Sequence, residues 1–160
     1  MTDVREVAED DWAIMRDVRL DALRDMPSAF GSSYAREAVF TEADWRRRAS
    51  GRNGFLAYLP NFGAVPVGIV GGIRETAHTG QLVSMWVRPQ ARRRRVGTTL
   101  VSAVIGWALA QDLTRLDVWV TDTNEEARRL YERCGFAPAG ERQPLPSDPA
   151  RAEIGMMLPL

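Results

Sequence analysis

The amino-acid sequence predicts an α+β fold in a single domain over residues 1–160. Three observations lead there. Apolar residues recur with period two in some segments and with helical spacing in others, giving the order β-α-α-β-β-β-α-β-α-β-β. No repeat and no Pro-, Gly- or Ser-rich linker divides the chain. Apolar (45%) and charged (26%) fractions are those of a globular domain, and this length buries a core without disulfides or metals.

Each element follows from local pattern. Residues 4–7 read as a short strand. Asp10 and Asp11 precede Trp12, Ile14, Met15, Val18, Ala22 and Leu23, a helical pattern with acidic residues at its start. Residues 26–33, with Pro27 and Gly31, break that helix. Thr41-Glu42-Ala43-Asp44 resembles a capping box and starts a helix that ends near Gly51. Residues 55–59 and 65–73 are apolar runs flanking Pro60-Asn61-Phe62-Gly63, a hairpin pattern. Residues 81–87 form a strand ended by Pro89. From Val96, Leu100, Val101, Val104, Ile105, Ala108 and Leu109 lie on one helical face. Leu116, Val118 and Val120 alternate with Asp117, Trp119 and Thr121 as a half-buried strand. A helix from Asn124 ends at Gly135, suited to a C′ position. Two last strands, from Phe136 onward and over 152–158, flank a Pro-rich segment, residues 142–149, read as a loop.

Composition narrows the function classes. Formal net charge is zero, so the whole molecule has no bulk attraction for nucleic acid or membrane. All 21 basic residues are Arg, which reads as the coding bias of a GC-rich, bacterial genome. A single Cys, Cys134, excludes an internal disulfide, and with one His, His78, no Cys/His metal site is expected. Cys134 has no activating partner in sequence and reads as a packing residue; His78 reads as a turn residue. Residues 1–6 lack a charged-then-apolar signal, and no apolar window approaches a membrane span; a soluble, cytoplasmic protein is expected. No Gly-Lys-Ser/Thr phosphate loop occurs, and no G-x-G-x-x-G follows a strand.

Two motifs carry the chemistry. Val87-Arg88-Pro89-Gln90-Ala91-Arg92-Arg93-Arg94-Arg95-Val96-Gly97 places a cationic turn between a strand and a helix start. Unpaired first-turn amides and the helix dipole both favour an anion there. The competing readings are a solvated basic loop and a nucleic-acid patch. The latter is disfavoured because the run has no interleaved aromatic to stack a base. The second motif, Asn124-Glu125-Glu126-Ala127-Arg128-Arg129-Leu130-Tyr131-Glu132-Arg133-Cys134-Gly135-Phe136, sets an Asn N-cap two turns before a Tyr on one face.

Together these motifs resemble the acetyl-CoA-binding core of the GCN5-related N-acetyltransferase (GNAT) family. That family's second motif, N-x-x-A-x-x-L-Y-x-x-x-G-F, is matched by Asn124, Ala127, Leu130, Tyr131, Gly135 and Phe136. Its phosphate turn, Gln/Arg-x-x-Gly-x-Gly/Ala, is matched by Arg92 and Gly97, but Arg95 replaces the middle Gly, which an Arg of negative φ would accommodate. The resemblance implies a three-layer α/β/α fold of the acyl-CoA N-acyltransferase type, with a mixed, mostly antiparallel sheet of about seven strands and helices on both faces. It implies transfer of an acetyl group from acetyl-CoA directly to a primary amine of a small molecule or peptide. A non-catalytic acyl-CoA-binding or sensing module and, further off, a nucleic-acid-binding domain using residues 88–95 are the alternatives. Assembly as a homodimer is left open.

By the same resemblance, Met85, Trp86, Val87, Arg92, Arg93, Arg94, Arg95, Val96, Gly97, Thr98, Asn124, Ala127 and Tyr131 bind the cofactor. Tyr131 donates a proton to the departing CoA thiolate, a role a neutral phenol can fill. The strand 81–87 has no carboxylate, so Glu75 at the end of the preceding strand is a candidate base, with a surface ion pair as its competing reading. Ser84 is a candidate for holding a relay water. From topology, Phe30 and Tyr34 form an aromatic wall for the acceptor and Glu37 pairs with its cationic amine. No metal is expected.

Overall fold

Apolar side chains on opposite faces of the strands sort the molecule into two cores, as a computed structural model of residues Met1–Leu160 shows. The chain runs β1 (Asp3–Glu6), α1 (Trp12–Asp25), α2 (Tyr34–Glu37), α3 (Glu42–Gly51), β2 (Phe55–Tyr58), β3 (Gly68–Arg74) and β4 (Thr79–Val87). It continues with α4 (Val96–Ala110), β5 (Arg115–Thr121), α5 (Glu125–Arg133), β6 (Ala137–Leu145) and β7 (Asp148–Pro159). Seven strands form one sheet in the order β1-β2-β3-β4-β5-β7-β6. Every neighbouring pair is antiparallel except β4 with β5.

Strand alternation decides which residues go to which layer. Phe55, Ala57 and Val70 face α4, whose Leu100, Val101, Val104 and Ala108 are buried with them. Leu56, Ile69 and Trp86 face α1 and α3, against Met15, Val18, Leu23 and Trp45. Burying one such side chain stabilises by about 1.5–3 kcal/mol, so Leu100→Ala, which also opens a cavity beneath α4, costs about 2–5 kcal/mol. Two glycines let α4 lie close to the sheet. A Cβ on Gly72 would stand 2.6 Å from Trp107 Cε3, and one on Gly68 would stand 2.9 Å from Leu100 Cδ1. The capping box expected at Thr41 forms, with the Asp44 amide donating to Thr41 Oγ1 (3.2 Å) and the Thr41 amide to Asp44 Oδ2 (2.9 Å).

The 142–149 segment is not a loop. β6 and β7 run through it, with register Arg142↔Ile154, Pro144↔Ala152 and Leu145↔Asp148, and turn only at Pro146-Ser147. Of its prolines, Pro144 lies on β6, the sheet edge, where a missing N–H costs no ladder bond on the open side, Pro146 is in the turn, and Pro149 starts β7 before its pairing with β5 begins at Glu153. The break at 26–33 is real, but it is followed by α2, capped by Ser33 accepting from the Arg36 amide. No helix is long and apolar enough to cross a membrane.

Candidate active site

β4 and β5 pair in parallel only from Thr79↔Arg115 to Leu82↔Val118, then diverge. Within that fork β4 carries a bulge. Gly71 pairs with Val83 and Ile69 with Trp86, so Ser84 and Met85 together face Val70. Ser84 takes up the extra residue at φ 61. The divergence leaves the Met85–Val87 side of β4 without a strand partner and opens two cavities, of about 150 and about 490 Å³. Ala29, Met85, Asn124 and Ala127 line both, so the two meet in the fork.

The smaller cavity is floored by the arginine turn. Arg93 and Arg95 both sit at φ 63, a left-handed conformation, so Arg95 does not take the negative φ that would have suited a residue with a Cβ. Two such residues rotate the intervening peptides so that their N–H groups point the same way, and α4 then adds its own first-turn donors. None of the amides of residues 93–98 donates to a protein acceptor. A Cβ on Gly97 would lie 3.0 Å from Leu130 Cδ2, so glycine keeps α4 close to α5.

The arginine side chains divide the work. Arg92 Nε donates to Val87 O (3.0 Å) and its Nη2 to Asp25 Oδ2 (2.7 Å), so it ties the turn to the end of α1 while lining the cavity. Arg88 donates to Asp21 and to Pro66 O. Arg93 and Arg95 border the cavity with Val96, Gly97 and Thr98. Arg94 does not: its guanidinium lies over Phe62, 5.7 Å from the ring centroid, because its neighbours' left-handed backbone turns it to the other side.

Asn124 caps α5 by accepting from the Ala127 amide (3.2 Å). Two turns further on, Tyr131 is buried against Phe136, edge to face at 5.5 Å, and borders the larger cavity. Its hydroxyl makes no hydrogen bond within the protein. Burial pushes the phenol well above its ordinary pKa, so it stays protonated.

The larger cavity has two contrasting walls. On one side Glu153 of β7, 8% exposed, accepts from Gln143 Nε2 at 2.6 Å. Burial raises its pKa, partly offset by that hydrogen bond. On the other side stand Arg19, Arg36, Arg48 and Arg52. Phe30 also borders it. The Ser147 hydroxyl holds Phe30 O at 2.5 Å, Thr121 Oγ1 holds Ser28 O at 2.6 Å, and Arg19 stacks on the Phe30 ring at 4.8 Å.

Several expectations are corrected here. Glu37 is fully buried and committed, with Arg19 donating to both its oxygens at 3.0 Å and Arg48 pairing with Oε1 as well, so it cannot receive an amine. Burial alone would raise its pKa, but the Arg19 hydrogen bonds and charge outweigh this and hold it at about 2. Tyr34 lies outside the cavity, accepting from Arg24 Nη2 at 3.1 Å at the surface. Glu75 borders neither cavity and sits exposed near Arg115 and Asp117. Ser84 does border the larger cavity, 3.5 Å from Arg19 Nη1. Sequence reasoning missed Glu153, Gln143 and the arginine wall. The usable signal was Glu153 itself, a lone carboxylate in the otherwise apolar run 152–158.

Comparison with known proteins gives the family and the fold. A sequence model of the acetyltransferase (GNAT) family matches residues 15–136. Over 62 residues the chain is 34% identical to a mycothiol acetyltransferase of Beutenbergia cavernae and 37% identical to an N-acetyltransferase of Streptomyces griseus. Each match takes in 39% of this chain, and only 21% and 32% of those longer proteins. Among solved structures, an acetyltransferase of the GNAT family from Streptococcus pneumoniae superposes with a TM-score of 0.76 at 20% identity, covering 100% of this chain and 99% of that one. A Salmonella typhimurium protein solved with its cofactor acetyl-CoA gives 0.76 at 16% identity, covering 100% and 94%. At those identities the superpositions establish the fold, while the family match spans most of the chain. The chain belongs to the acetyltransferase (GNAT) family.

Proposed function

We propose that this protein transfers the acetyl group of acetyl-CoA to a primary amine. The observation that carries this reading is the fork between β4 and β5, which joins a nest of unpartnered amides on residues 93–98 to a cavity bordered by Tyr131 and Glu153. The nest suits a pyrophosphate, and the narrow cavity between Met85 and Ala127 suits a thin amide-bearing arm. Bound acetyl-CoA supplies an activated thioester.

The chain's residues divide the remaining work. The edge of β4 at Met85–Val87, left without a strand partner, would hold the arm and polarise the thioester oxygen through its N–H groups. Glu153 takes a proton from the attacking amine; its raised pKa makes it a better base than an exposed glutamate. Tyr131 gives its proton to the sulfur as the carbon–sulfur bond breaks. The buried site penalises a bare thiolate, so a fixed neutral donor is favoured, and the phenolate it leaves regains the proton that Glu153, on the same cavity, took from the amine. Arg88 and Arg92 are tied to Asp21, Asp25 and carbonyl groups, which argues against residues 88–95 as a nucleic-acid surface.

The test is free-thiol release from acetyl-CoA with a panel of primary amines. The expected result is amine-dependent release with stoichiometric N-acetyl product. Tight acetyl-CoA binding with no turnover across the panel would instead make this an acyl-CoA-binding module.

A further inference from the structure

Arg52 is the one member of the arginine wall that is both half-buried and without an ion pair. It follows α3, and its backbone is fixed: its carbonyl accepts from the Gly72 amide (2.9 Å), and Asn53, at φ 44, donates from its side chain to Gly72 O. The side chain therefore leaves the sheet from a rigid point and borders the large cavity. No carboxylate reaches it. The nearest anion, Glu37, is already held by Arg19 and Arg48, so Arg52 faces two other cations across one shared negative charge. Burial and those cations depress its pKa to about 10.

Two neighbours at this end add to it. Arg36, exposed to solvent, borders the cavity and forms no ion pair, and the Ser32 hydroxyl, also on the lining, is buried beside Glu37 without a hydrogen bond of normal geometry. Buried cations and hydroxyls are normally satisfied. Here the donors are left over at one end of a cavity whose other wall carries Glu153. A guanidinium fork matches a planar oxyanion with two parallel hydrogen bonds, and it does so most strongly where water is excluded.

We infer that the acceptor is an amine that also carries an oxyanion, as an amino acid does, with the anion on Arg52 beside Ser32 and Arg36 and the nitrogen towards Glu153. This rests on the acetyl-transfer reading. A simple cationic amine brings no charge to satisfy Arg52 and is repelled by the wall. An amine that also bears an oxyanion neutralises both ends of the cavity at once. Its anion also orients the nitrogen relative to the fork.

The experiment compares matched acceptors in acetyl-CoA turnover: L-leucine against isopentylamine, L-phenylalanine against phenethylamine, and O-phosphoethanolamine against ethanolamine. The oxyanion-bearing member of at least one pair should lead in kcat/KM by tenfold or more. The leading pair tells carboxylate from phosphate. Arg52→Gln should erase that lead mainly through KM, while raising the melting temperature because it removes an unpaired, half-buried cation. Arg52→Lys should keep part of the lead. Calorimetry on CoA-saturated protein repeats the comparison without turnover, with N-acetyl-L-leucine expected to bind at least tenfold tighter than N-isopentylacetamide. Equal use of both members of every pair, or equal or absent binding of the two amides, overturns the inference. Turnover that favours plain amines leaves acetyl transfer standing, whereas absent turnover with Arg52-dependent binding of N-acetyl-L-leucine condemns the acetyl-transfer reading alone.

Discussion

Replacing Glu37 by Gln should be among the most damaging single changes in this protein, although Glu37 takes no part in the chemistry. The side chain is fully buried, receives two hydrogen bonds of 3.0 Å from Arg19 and pairs with Arg48. Gln keeps the shape and removes the charge, leaving two buried guanidiniums beside Arg52 with no anion between them. Breaking a buried pair in this way costs about 3–5 kcal/mol. An independent route gives the same size. A carboxyl whose pKa falls from 4.5 to about 2 on folding contributes on the order of 3 kcal/mol at neutral pH. Because the folded pKa is the lower one, this stability is complete above the unfolded pKa of 4.5 and is lost as pH falls through about 2. Urea unfolding followed by circular dichroism at pH 7 should show the variant losing a third or more of a typical domain's stability, with an unchanged m-value. The gap between the two proteins should narrow steadily below pH 4. A loss under about 1 kcal/mol at pH 7, or a gap independent of pH, would refute the reasoning that Glu37 neutralises the arginine wall.

Three further outcomes are expected. Tyr131→Phe should lower kcat by tens-fold or more with little change in acetyl-CoA affinity, since its hydroxyl acts as charge builds on sulfur; steady-state kinetics beside calorimetry decide this, and undiminished turnover would make it a packing residue. Glu153→Gln should cut kcat/KM by about 10²–10⁴-fold and abolish the acid limb of the pH–rate profile; in the natural protein that limb should lie above the ordinary glutamate range, because burial raises the pKa and activity falls as the base is protonated. Arg95→Gly should stabilise by up to about 1 kcal/mol, relieving a left-handed φ of 63 in a residue with a Cβ, and should hold acetyl-CoA affinity within about threefold; a loss beyond roughly tenfold by calorimetry would show that the Arg95 guanidinium itself holds phosphate.

The sequence by itself determined the order of elements, the Asn124–Tyr131 face and the cationic helix start, because each depends on neighbours within a turn or two of chain. Hydrophobic period, the Thr41 capping box and the Asn124 cap are local interactions, and local interactions are written in local sequence. Tertiary structure decided what is non-local. Pro144 looked like a loop residue until β6 proved to be an edge, since a missing N–H matters only when another strand lies on that side. Glu37 looked free for an amine until Arg19, eighteen residues earlier, and Arg48 closed on it. Arg95 could be either sign of φ from its neighbours alone; the turn fixed it, because aiming successive amides into one cavity needs the left-handed conformation. Glu153 and Arg52 are about a hundred residues apart and come to line one cavity only because β4 and β5 diverge after Leu82 and Val118. That shared cavity is a property of the sheet, and the cost and value of each buried charge depend on what the fold brings beside it.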